Sequence, residues 1–578
     1  MLKSILIAFS CILLCKSDNP DGPIVEISLG KLRGFTFELG DNKRADIFLN
    51  IPFAKPPIGE LRFEKPQPPK PWTGIREAKT WGPICYPHVI VENFADPTQA
   101  SEDCLQLNVF KPNLTTHDSK GYPVLVWIHG GGFEFAHASL FGYEYLSKNF
   151  ISREIIVVSI QYRLGPLGWI STGDSVMPGN LGYWDMTQAL KFIHENIGYF
   201  GGDPKRITVW GESAGAIAVS ALTMSPHSRD YVAQSVEMSG SVFMPVSSND
   251  DVVEASQEII KTLSCEAQDP SQIKECLRAK TIDEISNAVL INGPARKGLN
   301  MIKFHPRNDG DFFPVDYPEL IKTSPPKPAM IGFTDVESAL HALVMVPPLV
   351  EPLITDVGIQ KSQYPTYGQQ NLTRFIKEEV APEKVLGHFA KEVQEKLIEF
   401  YLKRGKPENA DYKFYIERYV QLLSDAQFKV PAILTAQLKM KSNWPVYLYL
   451  NEHYNDKNYD QELPVKGCIH TCESIHFFGY NFTGPFIWDE SEFIVQKIQV
   501  ETMANFIKTG DPSMPSLKWP QLTQDHPLIY FSIKTEPKVK EPLEIKVWNF
   551  WKELMNKYPY DIIRRKPNEG YKNDHEEL

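Results

Sequence analysis

The stretch Arg206-Ile207-Thr208-Val209-Trp210-Gly211-Glu212-Ser213-Ala214-Gly215-Ala216 constrains the fold of this chain more than any other. Ile207 to Trp210 is an apolar, β-branched run that reads as a buried strand. Ala216 to Leu222 is small and helix-tolerant. Between them stands Gly-x-Ser-x-Gly. A strand that turns this sharply into a helix holds its serine in a strained backbone, with the hydroxyl lifted out of the sheet edge. Gly211 and Gly215 suit positions where strand and helix come too close for a side chain. Five residues are a short pattern, and an ordinary strand-to-helix turn also satisfies it. Its weight depends on what else the chain carries.

Other segments supply a matching scaffold. Pro123 to Ile128 and Ile155 to Ile160 are buried-strand candidates. Trp184 to Ile197 has apolar residues at helical spacing and leads into a loop over Gly198 to Pro204. Further strands are expected at Pro328–Gly332 and Val446–Leu450, with helices and loops over Ser338 to Leu434. Alternating strands and helices predict an α/β fold with a mostly parallel sheet flanked by helices. The chain is 578 residues long and 42% hydrophobic, ample for a large core. It shows no repeat, low-complexity tract or linker, so residues 18–574 read as one domain with helical insertions.

The ends predict a compartment. Lys3, the apolar stretch Ile5 to Leu14 and the polar run Lys16 to Pro20 read as a secretory signal over residues 1–17. No later run is long enough for a transmembrane helix, and the charged C-terminus excludes a lipid-anchor signal. The last residues, His575-Glu576-Glu577-Leu578, resemble a retention tetrapeptide with Glu in place of Asp. The expectation is the lumen of the endoplasmic reticulum through a retention receptor, with secretion as the alternative. Sequons at Asn113, Asn371 and Asn481 agree with that route. A net charge of −11 without a long Lys/Arg block speaks against nucleic acid as a partner.

Cys11 and Cys15 fall in the signal, leaving six cysteines for an oxidising compartment. Cys85 with Cys104 and Cys265 with Cys276 enclose short loops and are expected to pair locally. Cys468 and Cys472 flank His470, and their state is left open. A zinc site there lacks a second ligand cluster, so no metal is expected.

A serine nucleophile needs a base, an acid that orients the base, and donors for an oxyanion. His129-Gly130-Gly131-Gly132-Phe133 follows a predicted strand, and its glycine N–H groups reach a substrate oxygen unobstructed. The N–H of Ala214 completes such a hole. His470 lies downstream in a loop and is the expected base. His476 sits among Ile475, Phe477 and Phe478 and reads as a packed structural histidine. Asp335 and Glu337 both follow a predicted strand, and spacing does not choose between them as the acid.

With these motifs in hand, the chain resembles the type-B carboxylesterase/cholinesterase family of α/β-hydrolases, on the carboxylesterase side. Glu102 to Val109 resembles that family's second signature, and Phe200-Gly201-Gly202-Asp203-Pro204 leads into the serine turn as the family's stretch does. The resemblance implies a catalytic Ser213, Glu337 and His470, an oxyanion hole of Gly131, Gly132 and Ala214, and no cofactor. It implies the two local disulfides and structural ion pairs Arg62–Glu102 and Arg163–Asp185. Cholinesterases carry a tryptophan between the first pair of cysteines to hold a quaternary ammonium; Tyr86 to Asp103 contains none. The expected substrate is therefore a small-molecule or lipid ester without choline. Phe133, Phe135, Trp184 and the run Leu340 to Ile354 are the expected gorge lining. A choline-specific esterase and a non-catalytic binding or adhesion protein on the same fold are the rival readings.

Overall fold

The computed structural model describes residues 21–87, 99–116, 118–295, 298–345 and 357–568. The signal-like residues 1–17 and the terminal tetrapeptide lie outside the described residues.

Eleven strands among the described residues form the central sheet. In chain order they are β1 (Phe35–Gly40), β2 (Lys43–Pro52), β3 (Gln106–Pro112), β4 (Tyr122–Ile128), β5 (Ile156–Ile160) and β6 (Gly202–Glu212). Then come β7 (Gln234–Met238), β8 (Ala329–Thr334), β9 (Val446–Asn451), β10 (Tyr530–Ile533) and β11 (Lys538–Lys540). Their spatial order is β11-β10-β9-β8-β7-β6-β4-β5-β3-β2-β1. The run from β10 to β5 is parallel, and antiparallel strands border it on both sides. This is the mostly parallel α/β architecture that the alternating pattern predicts.

Side chains alternate across the sheet as strand geometry dictates. Val124, Val126, Ile128, Ile207 and Val209 point to one face, against helices α1 (Leu181–Asn196) and α2 (Ala214–Met224). Leu125, Trp127 and Trp210 point to the other. There the Trp127 and Trp210 rings lie 4.4 Å apart, and Phe478 stacks on Trp210 at 5.2 Å. Each fully buried large apolar side chain contributes about 1.5–3 kcal/mol. Helix α2 is buried along its whole length, so a strand–turn–helix unit is fixed in the middle of the molecule.

Several charged side chains inside the protein are paired. Arg163 grips Asp185 through two side-chain bonds of 2.8 and 2.7 Å, and its own backbone N–H adds a third. Arg62 bonds Glu102 through Nε and Nη2. Both are the ion pairs that the resemblance implies. Lys439 and Glu237 form a further fully buried pair that sequence reading does not anticipate. Disulfides join Cys85 to Cys104, Cys265 to Cys276, and Cys468 to Cys472. With both thiols in a covalent bond, Cys468 and Cys472 have no thiolate to give a metal.

Candidate active site

The parallel strands end level with one another. Ile128 of β4 pairs with Gly211 of β6, and Met238 of β7 pairs with both Glu212 and Gly332. Ligands of open α/β sheets bind at these carboxyl ends, and the candidate residues emerge there.

Ser213 directly follows β6 and precedes α2. Its backbone sits at φ 57°, ψ −126°, a region that L-residues rarely occupy. The surroundings hold it: Ser213 N–H donates to the Met238 carbonyl at 2.9 Å, and its own carbonyl accepts from Ala216 and Ile217 N–H. A Cβ on Gly215 would lie 2.1 Å from the Ile128 carbonyl oxygen, so strand and helix pack this closely only with glycine.

The segment after β4 turns back on itself. Gly131 and Gly132 have φ of 92° and 62°, left-handed values that favour glycine. The Gly131 carbonyl accepts from Glu134 and Phe135 N–H. Behind the turn, Tyr162 Oη donates to the His129 carbonyl at 2.8 Å and stacks on the His129 ring. Burial pushes His129 down to about 3, keeping it neutral. Glu134 accepts from the N–H groups of Lys303 and Phe304, tying this turn to residues 303–304.

Glu337 follows β8 and is fully buried. Its Oε2 lies 2.6 Å from His470 Nδ1. Its Oε1 accepts from Ser239 Oγ at 2.6 Å and from the Thr334 N–H at 2.7 Å. Asp335, which spacing alone left as an equal candidate, instead accepts from the Cys468 N–H at 2.7 Å. The structure thus separates the two acids: Glu337 faces the imidazole, and Asp335 holds the histidine loop. On its other side, His470 Nε2 is 3.1 Å from Glu212 Oε1, an ion pair by distance without hydrogen-bond alignment. Burial disfavours the imidazolium, but the charges of Glu212 and Glu337 outweigh it and push His470 up to about 9. Burial raises Glu212 to about 7, and Glu473 beside the cluster to about 8.

Ser213, His470, Gly131, Gly132 and Ala214 all line one cavity of about 1080 Å³, counted with its open mouth. Its walls are apolar, with Phe135, Leu140, Met301, Ile302, Phe428 and Phe482 among them. Of the expected lining, Phe133, Phe135, Leu340 and His341 are present. Trp184 is not: it packs outward against Lys65, His227 and Phe312. A tryptophan at helical spacing marks a buried face without saying which surface buries it. Residues 346–354 of the expected lining run lie outside the described residues. His476 does not line the cavity; Gln499 and Glu492 hold its two ring nitrogens.

Sequence reading passed over Glu212 and Ser239. Glu212 is the variable position of the five-residue pattern, and nothing local marks it. Ser239 directly follows β7, whose Gln-Ser-Val-Glu-Met does not read as a buried strand. His341 also lines the cavity, its ring centroid 5.6 Å from that of His470. Burial, and then the charge of His470, push it down to about 3. It belongs to the expected lining run, where nothing local sets it apart from its apolar neighbours.

The carboxylesterase family model matches residues 21–551. Gut esterase 1 of Caenorhabditis briggsae is 34% identical over 547 residues, covering 94% of each chain. Pyrethroid hydrolase Ces2e of Rattus norvegicus is 31% identical, over 98% of this chain and 95% of its own. Cocaine esterase of Homo sapiens is 31% identical over 96% of each.

Proposed function

The chain belongs to the carboxylesterase family, a family of carboxylic-ester hydrolases, and from that premise we propose that it is a serine esterase working through an acyl-enzyme on Ser213. The observation that carries this reading is the convergence of Ser213, His470 and the glycine turn on one apolar cavity, with Glu337 bonded behind the imidazole.

In the proposed reaction, Ser213 Oγ attacks the ester carbonyl while His470 Nε2 takes its proton. Glu337 holds the Nδ1–H tautomer and balances the imidazolium. The N–H groups of Gly131, Gly132 and Ala214 stabilise the oxyanion, each worth about 3–4 kcal/mol in the transition state. Imidazolium then protonates the departing alcohol. Water, deprotonated by the same nitrogen, releases the acid and frees Ser213. Glu212 faces Nε2 and adds a second carboxylate that favours the charged base.

The test is the pH dependence of kcat/KM on a neutral ester. His470 accepts a proton only when neutral, and its neighbours hold the proton into the alkaline range. Activity should rise with pH through a midpoint well above the ordinary imidazole value of about 6.5. Glu212→Gln removes one of the two charges, so the midpoint should fall by about one pH unit or more. An unchanged midpoint would contradict the assignment of His470 and Glu212.

The apolar walls support a neutral ester with aliphatic or aromatic groups, lipid esters included. No tryptophan lines the cavity among the described residues. An acylcholine should therefore be hydrolysed no faster than a neutral ester of the same acyl group. A marked preference for the cation would favour a choline esterase instead. No cofactor enters this scheme.

We read residues 1–17 as a signal, 18–574 as the enzyme, and His575-Glu576-Glu577-Leu578 as a retention signal for the reticulum lumen. Among the described residues no helix is long and apolar enough to cross a membrane. Deleting residues 575–578 should raise the secreted fraction of expressed protein; an unchanged fraction would remove the retention reading. Asn113, Asn371 and Asn481 are the proposed glycan sites, and Asn481 lies beside Tyr480 and Phe482 of the cavity wall.

A further inference from the structure

We propose that the Cys468–Cys472 disulfide is a redox-sensitive positioning device for His470, so that its oxidation state sets the turnover of the enzyme. This rests on the reading of His470 as the base.

The bond closes a five-residue ring, Cys468-Ile469-His470-Thr471-Cys472, around the histidine itself. Its Cα atoms are 5.7 Å apart, inside the range that a disulfide bridges. The two ends of the ring are held differently. On the Cys468 side three bonds attach it to the acid loop. Cys468 N–H donates to Asp335, Val336 N–H donates to the Cys468 carbonyl, and His470 N–H donates to the Glu337 carbonyl at 3.1 Å. On the Cys472 side the backbone N–H closes a turn to the Ile469 carbonyl at 3.0 Å, the Thr471 carbonyl accepts from the Ser474 N–H at 2.9 Å, and Asn451 Nδ2 donates to Cys472 Sγ. Between His470 and Cys472 stands Thr471 at φ 71°. A β-branched residue in the left-handed region relaxes unless its surroundings prevent it. The covalent link from Cys472 back to the anchored Cys468 restrains Thr471 in addition to the Ser474 N–H bond that its carbonyl accepts.

Cys468 is fully buried, whereas Cys472 is partly exposed. A small dithiol therefore meets Cys472 first. One reductant thiolate attacks its sulfur and the Cys468 sulfur leaves as thiolate. The second reductant thiol then closes the reductant's own S–S bond and releases Cys472. Two electrons and two protons pass from the dithiol to the protein, giving two thiols. The ring opens, Thr471 relaxes, and His470 shifts from its place in the cavity that Ser213 also lines. The apolar walls come from other segments, so substrate binding persists. Small displacements of a reacting group cost about 10- to 100-fold.

The experiment uses the full chain, a neutral nitrophenyl ester and dithiothreitol. Alkylation of the native protein without reductant, followed by digestion, should recover residues 468–472 with an intact, unalkylated pair. Free thiols there would overturn the proposal. Graded dithiothreitol should lower kcat about tenfold or more with KM within about twofold, in step with the appearance of the 468 and 472 thiols, and reoxidation should restore it. A loss that instead follows opening of Cys85–Cys104 or Cys265–Cys276 would overturn it. Cys468→Ala/Cys472→Ala should show the lowered kcat from the start and no response to dithiothreitol. Full kcat in that variant would overturn the proposal. If that variant does not fold, the reversible titration of the native enzyme decides alone. His470→Gln separates the two readings: activity retained there sinks the base assignment and the proposal with it, whereas activity lost there, with a native kcat that ignores opening of Cys468–Cys472, sinks the role of the disulfide alone.

Discussion

Ser213→Ala is expected to lower kcat by about 10⁵- to 10⁶-fold, the largest single loss in the molecule. The variant should fold as the native protein does. Alanine keeps the Cβ and with it the elbow backbone, whose N–H and carbonyl bonds to Met238, Ala216 and Ile217 involve no side chain. KM should change little, because the cavity walls are intact. A residual rate above that in water is expected, since the oxyanion donors remain. His470 then has no hydroxyl to deprotonate and can only activate water. Steady-state kinetics at high enzyme concentration measures the loss. A fall of less than about tenfold would mean that another nucleophile forms the intermediate.

Glu337→Gln is expected to cost about 10⁴-fold in kcat with KM preserved. The reasoning turns on hydrogen-bond direction. Glu337 Oε1 accepts from two donors, Ser239 Oγ and the Thr334 N–H. A glutamine therefore keeps its oxygen on that side, because an amide nitrogen there would face the Thr334 N–H donor to donor. Its NH₂ is then aimed at His470 Nδ1, which becomes an acceptor. The ring proton moves to Nε2, and that nitrogen no longer takes a proton from Ser213. The imidazolium also loses its buried counter-charge. Glu337→Asp retains the charge on a shorter arm and should recover part of the rate. The outcome against this account is Glu337→Gln within about tenfold of the native enzyme.

Much of this site was legible in the chain. The elbow, the glycine turn and the downstream histidine are local motifs, and local chemistry dictates them. The strands carrying them were also legible at 123–128, 155–160, 207–210, 328–332 and 446–450, because parallel central strands are apolar on both faces. The short β7 was not. Gln234, Ser235 and Glu237 are polar yet buried; Ser235 bonds Glu237, and the partners of Gln234 and Glu237, namely Thr208, Phe506 and Lys439, lie far away in the chain or on another element. No window around residue 234 contains that information.

The choice between Asp335 and Glu337 shows the same limit. They stand two residues apart on one loop, and only the tertiary fold decides which one faces His470. The resemblance to the family selected Glu337, and the hydrogen bonds agree with it. Trp184 failed for the opposite reason. Its aromatic character announced burial, but its contacts with Lys65 and Phe312 are made away from the cavity. Glu212 was in plain view in the motif, yet its approach to His470 depends on a loop more than 250 positions downstream.

The central claim is that ester hydrolysis passes through Ser213 with His470 as its base, and phosphonylation followed by peptide mass analysis tests it most directly. A fluorophosphonate mimics the tetrahedral intermediate and is captured only by a nucleophile with a working base and oxyanion donors. The account predicts one adduct per chain, on the peptide holding Ser213, forming as ester hydrolysis is lost, and no adduct in Ser213→Ala. Full ester hydrolysis by an unlabelled chain, or inactivation by an adduct on any other residue, would contradict it.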